Sequence, residues 1–323
     1  MRRMDDLAII VVSTNEAHWL RACLGSVFEH AGACSLDVVV ADNESTDGTA
    51  VLVGAEFPRA RVVHCANRGF GHANNRALET TDARYVLFLN PDTEILDGTF
   101  ERLVRHLDEH PNVGLAGVVQ RTPEGEIYPT IRYFPNAMRA LGEALGAERF
   151  PFRARMIRER ELDLDRYQEV VECDWTSGSF MLARREALQS AGFLDERLFI
   201  YGEEPDLCLR IKRAGWTIRH LPHMTIVHHA GKAGIRPKLL AQGAYARMQL
   251  ARKHFGAFHR VAYLAATGLG YALRALAPEG GGSHAGRRSA ARAALRVMVG
   301  LDGPPYGEPP QQAMVLRMSK REE

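Results

Sequence analysis

The sequence contains no C-x-x-C pair and no even set of cysteines: Cys23, Cys34, Cys65, Cys173 and Cys208 are scattered along 323 residues. That pattern argues against a disulfide framework or a cysteine zinc site and fits reduced thiols. Long apolar runs are missing too. None reaches the ~18 residues of a spanning helix, and the polar start Met1–Asp6 is unlike a signal peptide. The expected location is cytoplasmic. The formal net charge is only +2, so no nucleic-acid partner is expected. No G-x-G-x-x-G follows a strand, because Gly69-Phe70-Gly71 lacks its third glycine. A dinucleotide-dependent dehydrogenase is thereby disfavoured. The first strand runs into Ser13-Thr14-Asn15-Glu16, not the Gly-rich, basic phosphate loop that a sugar-phosphate nucleotidyltransferase needs.

What is present is a globular composition, 46% hydrophobic and 25% charged. Apolar runs at Leu7–Val12, Asp37–Ala41, Arg61–Ala66, Tyr85–Leu89 and Val113–Val119 read as strands. Helical spacing links Trp19, Leu20, Cys23, Leu24, Val27 and Phe28, and again Phe100, Leu103, Val104 and Leu107, with Asp97 as the expected cap. Strands alternating with helices predict an α/β fold with a mainly parallel sheet. Right-handed crossovers bring the strand ends Asp42, Asn67, Asn90 and Asp92 to one edge, where open α/β sheets bind ligands. Tyr85–Leu89 stops at Asn90-Pro91-Asp92, since proline ends a central ladder. A carboxylate at a buried strand end is held rigidly, which makes Asp92 a candidate metal ligand; its structural alternative is a turn or helix cap.

Downstream, Asp174-Trp175-Thr176-Ser177-Gly178-Ser179 offers small residues for close backbone approach. Tyr201-Gly202-Glu203-Glu204-Pro205-Asp206 opens a helix with three acids. Capping and the helix dipole account for Asp206 and Glu203 but not for every acid here, and a general base is the functional alternative. Met224–Val227 leads into His228-His229, a candidate metal contact. The charge-dense stretch 149–166 reads as a solvated face or as a flap over an acidic or lipid-linked substrate. Residues 257–277 read as an interfacial helix or as a packed hairpin. The Gly-rich Glu279–Ser283 reads as a linker, and the residues beyond it as mobile.

These blocks resemble, in order, the motifs of family 2 glycosyltransferases. They are Val12-Ser13-Thr14-Asn15, Ala41-Asp42-Asn43, Asn67-Arg68-Gly69 through Asn74-Asn75, Leu89-Asn90-Pro91-Asp92, and Gly178-Ser179 through Asp195-Glu196 to Glu203-Glu204. The chain is most similar to the bacterial rhamnosyltransferase-like branch. The resemblance implies a GT-A fold over residues 1–238, with a donor half to about 120 and an acceptor half beyond. A helical, membrane-surface segment at 239–278 and a flexible tail at 279–323 would follow.

The resemblance further implies an inverting transfer from a nucleotide-diphosphate sugar, with Mg²⁺ or Mn²⁺ as cofactor. The acceptor would be a saccharide or a polyprenyl-linked saccharide, and the first donor to consider dTDP-L-rhamnose. Thr14, Asn15, Asp42, Asn67, Gly69, Asn74 and Asn90 would bind the nucleotide sugar, with Asp42 on the pyrimidine base. Asp92 and His228 would hold the metal. Asn90 stands where the family's motif has an aspartate, which removes one negative charge. Trp175, Gly178, Ser179 and Glu203 would lie on the acceptor side. Glu204 is the expected base, with Asp195 as runner-up. A catalytically inactive sugar-nucleotide-binding or assembly subunit is the alternative.

Overall fold

The computed structural model describes residues 6–147, 154–229, 236–277 and 284–307. Strands β1 (Leu7–Ser13), β2 (Leu36–Asn43), β3 (Ala60–Cys65) and β4 (Tyr85–Leu89) alternate with helices α1 (Ala17–Glu29), α2 (Thr49–Glu56) and α3 (Phe70–Leu78). Strand β5 (Thr93–Gly98), α4 (Phe100–Glu109) and β6 (Val113–Arg121) complete the first half. The second half holds β7 (Ile127–Tyr128), α5 (Ala137–Ala144), α6 (Ala154–Ile157), β8 (Val171–Glu172) and β9 (Phe180–Arg184), then α7 (Arg185–Ala191), α8 (Glu203–Arg213) and β10 (Thr217–His228). Helices α9 (Pro237–His254), α10 (Ala257–Leu276) and α11 (His284–Met298) follow.

The main sheet runs β3-β2-β1-β4-β9-β6-β10-β5. The expected α/β layering is present, and the sheet is mixed: β3, β2, β1 and β4 are mutually parallel, while β9 lies antiparallel between β4 and β6. Every residue of β1 and β4 is buried, which explains why both read as unbroken apolar runs. Alternate side chains of β1 serve opposite faces. Ile9 and Val11 pack with Leu20, Leu24, Phe100 and Leu103. Ile10 and Val12 pack with Ala73, Ala77, Leu207 and Ile211 on the other face.

Two strands differ from the sequence expectation. Thr93–Gly98 forms β5 because β10 pairs with it antiparallel, so Asp97 lies in that strand. Thr99 caps α4 instead, its side chain accepting from the Arg102 amide at 3.4 Å. Strand β9 likewise exists because β4 and β6 offer it edges on both sides.

The C-terminal helices form a packed layer. Helix α10 lies against α5 and α11, and α11 against α9. Ala290, Ala291, Ala294 and Val297 are buried on α11, so residues 284–298 are a docked helix where a flexible tail was expected. Tyr306 then stacks on Phe199 with ring centroids 4.5 Å apart. Helix α10 is buried through Tyr263, Thr267, Gly270 and Tyr271, but exposes Phe258, Val261, Leu269, Leu273 and Leu276. Among the described residues no helix is long and apolar enough to cross a membrane. The linker 279–283, the end 308–323 and the flap residues Arg149 and Arg153 lie outside the described residues.

Candidate active site

Parallel pairing in register sets Ser13 beside Asp42 and Asp42 beside His64 at one sheet edge. Asp42 is nearly buried; Oδ1 accepts from the Ser45 amide at 3.1 Å, and Oδ2 lies 3.0 Å from Nδ1 of the exposed His64. Thr14 and Asn67 are bridged by Asn43, whose Nδ2 donates to Thr14 Oγ1 at 3.2 Å and to Asn67 Oδ1 at 3.1 Å. Asn43 Oδ1 is buried without a partner. Asn15 is left-handed (φ 57°) and holds the next loop, accepting from the Thr46 amide at 2.7 Å. It thereby ties the end of β1 to the loop after β2.

The turn Asn90-Pro91-Asp92 is tied down on three sides. The Asn90 amide donates to Ser179 O at 3.0 Å, Thr93 Oγ1 to Asn90 O at 2.7 Å, and the His229 amide to Asp92 O at 2.9 Å. Antiparallel pairing of β10 with β5 sets His228 opposite Thr93. His228 Nε2 consequently lies 3.3 Å from Asp92 Oδ1 and 3.5 Å from Asn90 Nδ2. His228 Nδ1 is buried without a partner. Among the described residues no group of three or more His, Cys, Asp or Glu is placed to hold a metal. Two donors at a strand end suit a cation such as Mg²⁺, which keeps waters and phosphate oxygens as most of its ligands. The site fits a cation that arrives with a diphosphate, and not a cation bound by protein alone.

Helix α8 starts at Gly202, which is left-handed like Tyr201 before it (φ 88° and 71°). That sharp entry puts Glu203 and Glu204 side by side in the first turn. Glu204 Oε1 accepts from the Gly178 amide at 3.2 Å. A Cβ on Gly178 would stand 2.6 Å from that oxygen, so only glycine lets the carboxylate lie against the chain. Burial raises the pKa of both glutamates, and the neighbouring Glu204 charge pushes Glu203 up further. The Gly178 amide and the Arg132 guanidinium favour the charged form of Glu204, whereas Glu203 Oε2 is buried without a partner. These surroundings favour the proton of the pair on Glu203 and the charge on Glu204.

The runner-up base is placed differently. Asp195 is buried and ion-paired to Arg197 at 2.6 Å and Lys253 at 2.5 Å. Although burial acts the other way, hydrogen bonds from these cations hold its carboxyl well below the usual range. Lys253 also meets the fully buried Asp206 at 2.6 Å, as does His254. This cluster staples the end of α9 to the start of α8. A carboxylate so committed has no spare lone pair for an acceptor proton, and Asp195 is corrected to a structural anchor.

Three further residues are drawn into packing. Gly69 (φ 106°) is needed because the backbone of Phe199 passes against it, and the Phe70 amide donates to Phe199 O at 2.8 Å. Asn74 is fully buried and donates to Phe70 O within its own helix. Ser179 is buried on Gln120 Oε1 at 2.8 Å. Gly69 and Ser179 thus sit at contacts between distant segments, while Asn74 Oδ1 is buried without a partner.

Sequence reading missed Asn43, Glu16 and Arg132. Glu16 sits at the start of α1, pushed up to about 7 by burial and by the charges of Asp92 and Asp47. Its signal was its place directly after the Thr14-Asn15 strand end. Arg132 lies with its guanidinium 5.3 Å over the Trp175 ring. Trp175 is in turn fixed by its Nε1 donating to Tyr133 O at 3.0 Å. Trp175, Glu204 and Arg132 share the wall of a cavity of about 960 Å³ that extends to α9, α10 and α11.

This layout, a mixed sheet with acids at its parallel strand ends, is that of the GT-A fold. A mannosyltransferase from Pyrobaculum calidifontis, solved with GDP-Man and Mn²⁺, aligns with TM-score 0.54 at 18% identity over 94% of this chain and 83% of its own. S. aureus TarS 1-349 with UDP-GlcNAc aligns with TM-score 0.51 at 15% identity over 92% of this chain and 91% of that one. Residues 8–190 match the model of glycosyl transferase family 2, and the chain belongs to that family. It is 30% identical over 237 residues to the N-acetylglucosaminyl-diphospho-decaprenol L-rhamnosyltransferase of Mycobacterium tuberculosis, covering 70% of this chain and 76% of that protein. It is 26% identical over 177 residues to the rhamnosyltransferase WbbL of Escherichia coli, covering 50% of this chain and 61% of that one. The protein is a glycosyltransferase.

Proposed function

We propose that the protein transfers a sugar, with inversion, from a nucleotide diphosphate to a polyprenyl-linked saccharide in cell-wall or surface polysaccharide synthesis. L-Rhamnose from dTDP-L-rhamnose is the donor proposed first. The observation that carries this reading is Glu204, a carboxylate with a raised pKa, pinned by the Gly178 amide on the wall of a large cavity. The likeness to the mycobacterial rhamnosyltransferase supports the sugar and the acceptor class.

Asp92 and His228 would hold Mg²⁺ or Mn²⁺ together with the donor diphosphate. When bound, the cation offsets negative charge on the leaving group. Thr14, Asn43 and Asn67 form the polar rim for the nucleoside, and Asp42 presents its carboxylate to the base once His64 swings out into solvent. Glu204 takes the proton of the acceptor hydroxyl. The hydroxyl oxygen forms the new bond to the anomeric carbon as the bond to the diphosphate breaks, and that electron pair leaves with the nucleotide.

The protein works at the inner face of the plasma membrane in this reading. The exposed apolar row Phe258, Val261, Leu269 and Leu276 on α10 supports a surface contact with lipid. Full activity on a soluble acceptor with no binding to anionic liposomes would remove that part.

The central test is a thermal-shift screen of nucleotide diphosphates and their sugars, with and without Mg²⁺ or Mn²⁺. A ligand at 100 times its dissociation constant adds about 2.7 kcal/mol. A metal-dependent shift with dTDP or UDP species, lost in Asp92→Ala, is expected. No shift with any pyrimidine diphosphate would overturn the donor assignment.

A further inference from the structure

The cavity beside Glu204 is far larger than one sugar needs; at about 960 Å³ it stands at the upper end of the range for drug-sized ligands. Its lining is also unusual in charge. Among the described residues that line it are seven arginines and three glutamates and no aspartate or lysine, an excess of four positive charges. Two of those glutamates, Glu143 and Glu159, are already answered by Arg247, at 3.5 and 3.8 Å. Arg132 acts on the Glu204 and Glu143 charges at longer range but is in direct contact with neither. Among the described residues it has no carboxylate within ion-pair distance, its Nε is buried without a partner, and its one side-chain hydrogen bond is to Tyr128 Oη at 3.5 Å.

Arg132 is also held in place. Its backbone is bonded to Trp175 O and its guanidinium lies over the Trp175 and Tyr128 rings, at 5.3 and 6.0 Å. A preordered guanidinium with no carboxylate in contact and an unpartnered Nε can receive a phosphate oxygen. Beyond it the walls become apolar, through Leu239, Leu240, Leu250, Tyr263 and Tyr271. Small residues at Gly243, Ala246 and Gly270 line the same space and keep it open.

We propose that this cavity is the acceptor subsite for a polyprenyl diphosphate: Arg132 takes the diphosphate, and the walls between α9 and α10 take the first isoprene units. The inference rests on the transferase reading and adds to it the chemistry that recognises the acceptor. A diphosphate at Arg132 places the sugar it carries against Trp175 and Glu204. Its diphosphate is held by guanidinium and not through a cation, so binding here is independent of divalent metal. The donor diphosphate at Asp92 is bound the other way.

Calorimetric titration of the full-length protein in excess EDTA tests this, with farnesyl diphosphate, inorganic pyrophosphate and farnesol as probes. Farnesyl diphosphate is expected to bind without metal, more tightly than pyrophosphate or farnesol, and to survive Asp92→Ala. Arg132→Gln is expected to weaken it by about tenfold or more, the loss of one charge-assisted contact, and Arg132→Lys to weaken it less. Metal-dependent dTDP binding, measured on each variant, reports that the fold and donor site are intact. No binding of farnesyl diphosphate, binding that requires Mg²⁺ and vanishes in Asp92→Ala, binding unchanged in Arg132→Gln, or equal binding of farnesol would each overturn the subsite. If dTDP binding persists in that case, only the subsite falls; if dTDP binding is also absent in the unaltered protein, the transferase reading falls with it.

Discussion

The amide of Gly178 donates to Glu204 Oε1 at 3.2 Å, and a Cβ on Gly178 would stand 2.6 Å from the same oxygen. A glycine in the loop before β9 thus sets where the α8 carboxylate lies. Gly178→Ala leaves its neighbours no room except by pushing the flexible end of Glu204 aside. Turnover is expected to fall by about one to two orders of magnitude, since a displaced base forfeits part of the roughly 10²–10⁴-fold that general base catalysis supplies. Donor binding and melting temperature should stay close to those of the unaltered protein. An alanine variant with full kcat would show that Glu204 is not positioned by this contact.

Glu204 and Glu203 are expected to separate cleanly in a pH profile. Burial raises Glu204, so the acidic limb of kcat/KM should lie above the ordinary glutamate value. Glu204→Gln should remove the limb along with most of the turnover. With the proton favoured on Glu203 by burial and by the Glu204 charge, Glu203→Gln is expected to leave both the limb and the stability nearly unchanged. A limb that drops sharply in Glu203→Gln would reverse the two assignments.

Asp195 is expected to matter for stability and not for the proton. Asp195→Asn leaves Lys253 and Arg197 with one partner fewer, and a loss of about 2 kcal/mol is expected, below the ~3–5 kcal/mol of a lone buried pair because Asp206 still holds Lys253. Denaturant unfolding measures it. The pH dependence of kcat/KM should keep its shape.

Acid should unfold the protein early. Asp195 and Asp206 have folded pKa values depressed by their cations, despite burial. Their stabilisation is present above the unfolded value of 3.8 and is lost as pH falls through the folded one. His220 is buried, bonded to Tyr167 O at 3.2 Å, and lowered from 6.5 to about 4. The unfolded chain takes up that proton first, so stability falls as pH drops from 6.5 through 4. Melting curves from pH about 7 to about 4.5 should show a steady decline that His220→Gln reduces.

Gly69→Ala should be among the more damaging small substitutions. The residue has φ 106°, and a Cβ would come within 2.8 Å of the Phe199 Cα. Left-handed strain plus a backbone clash predicts a loss of about 2–3 kcal/mol. Nucleotide affinity per folded molecule should be unchanged, which distinguishes packing from ligand contact.

The α/β alternation was legible in the chain before it folded, because strands buried on both faces must be apolar throughout and helices on a sheet must repeat at their own period. The sequence also showed the strand-end residues Asp42, Asn67, Asn90 and Asp92, since a polar residue after an apolar run is visible without its neighbours. It could not separate Glu204 from Asp195. Both are acids in one stretch, and only the fold shows Asp195 closed off by Lys253 from 58 positions away while Glu204 faces a cavity. Nor could the sequence show that Gly69 is required by the Phe199 backbone packed against it, because small residues serve packing as readily as binding. Strands β5 and β9 were illegible for a related reason: each exists through partners distant in sequence, and short segments carry too little periodicity to announce themselves. That Arg132 touches no carboxylate among the described residues is likewise a tertiary property. An arginine's worth as an anion receptor depends on which carboxylates are within reach, and that is decided only when the chain has folded.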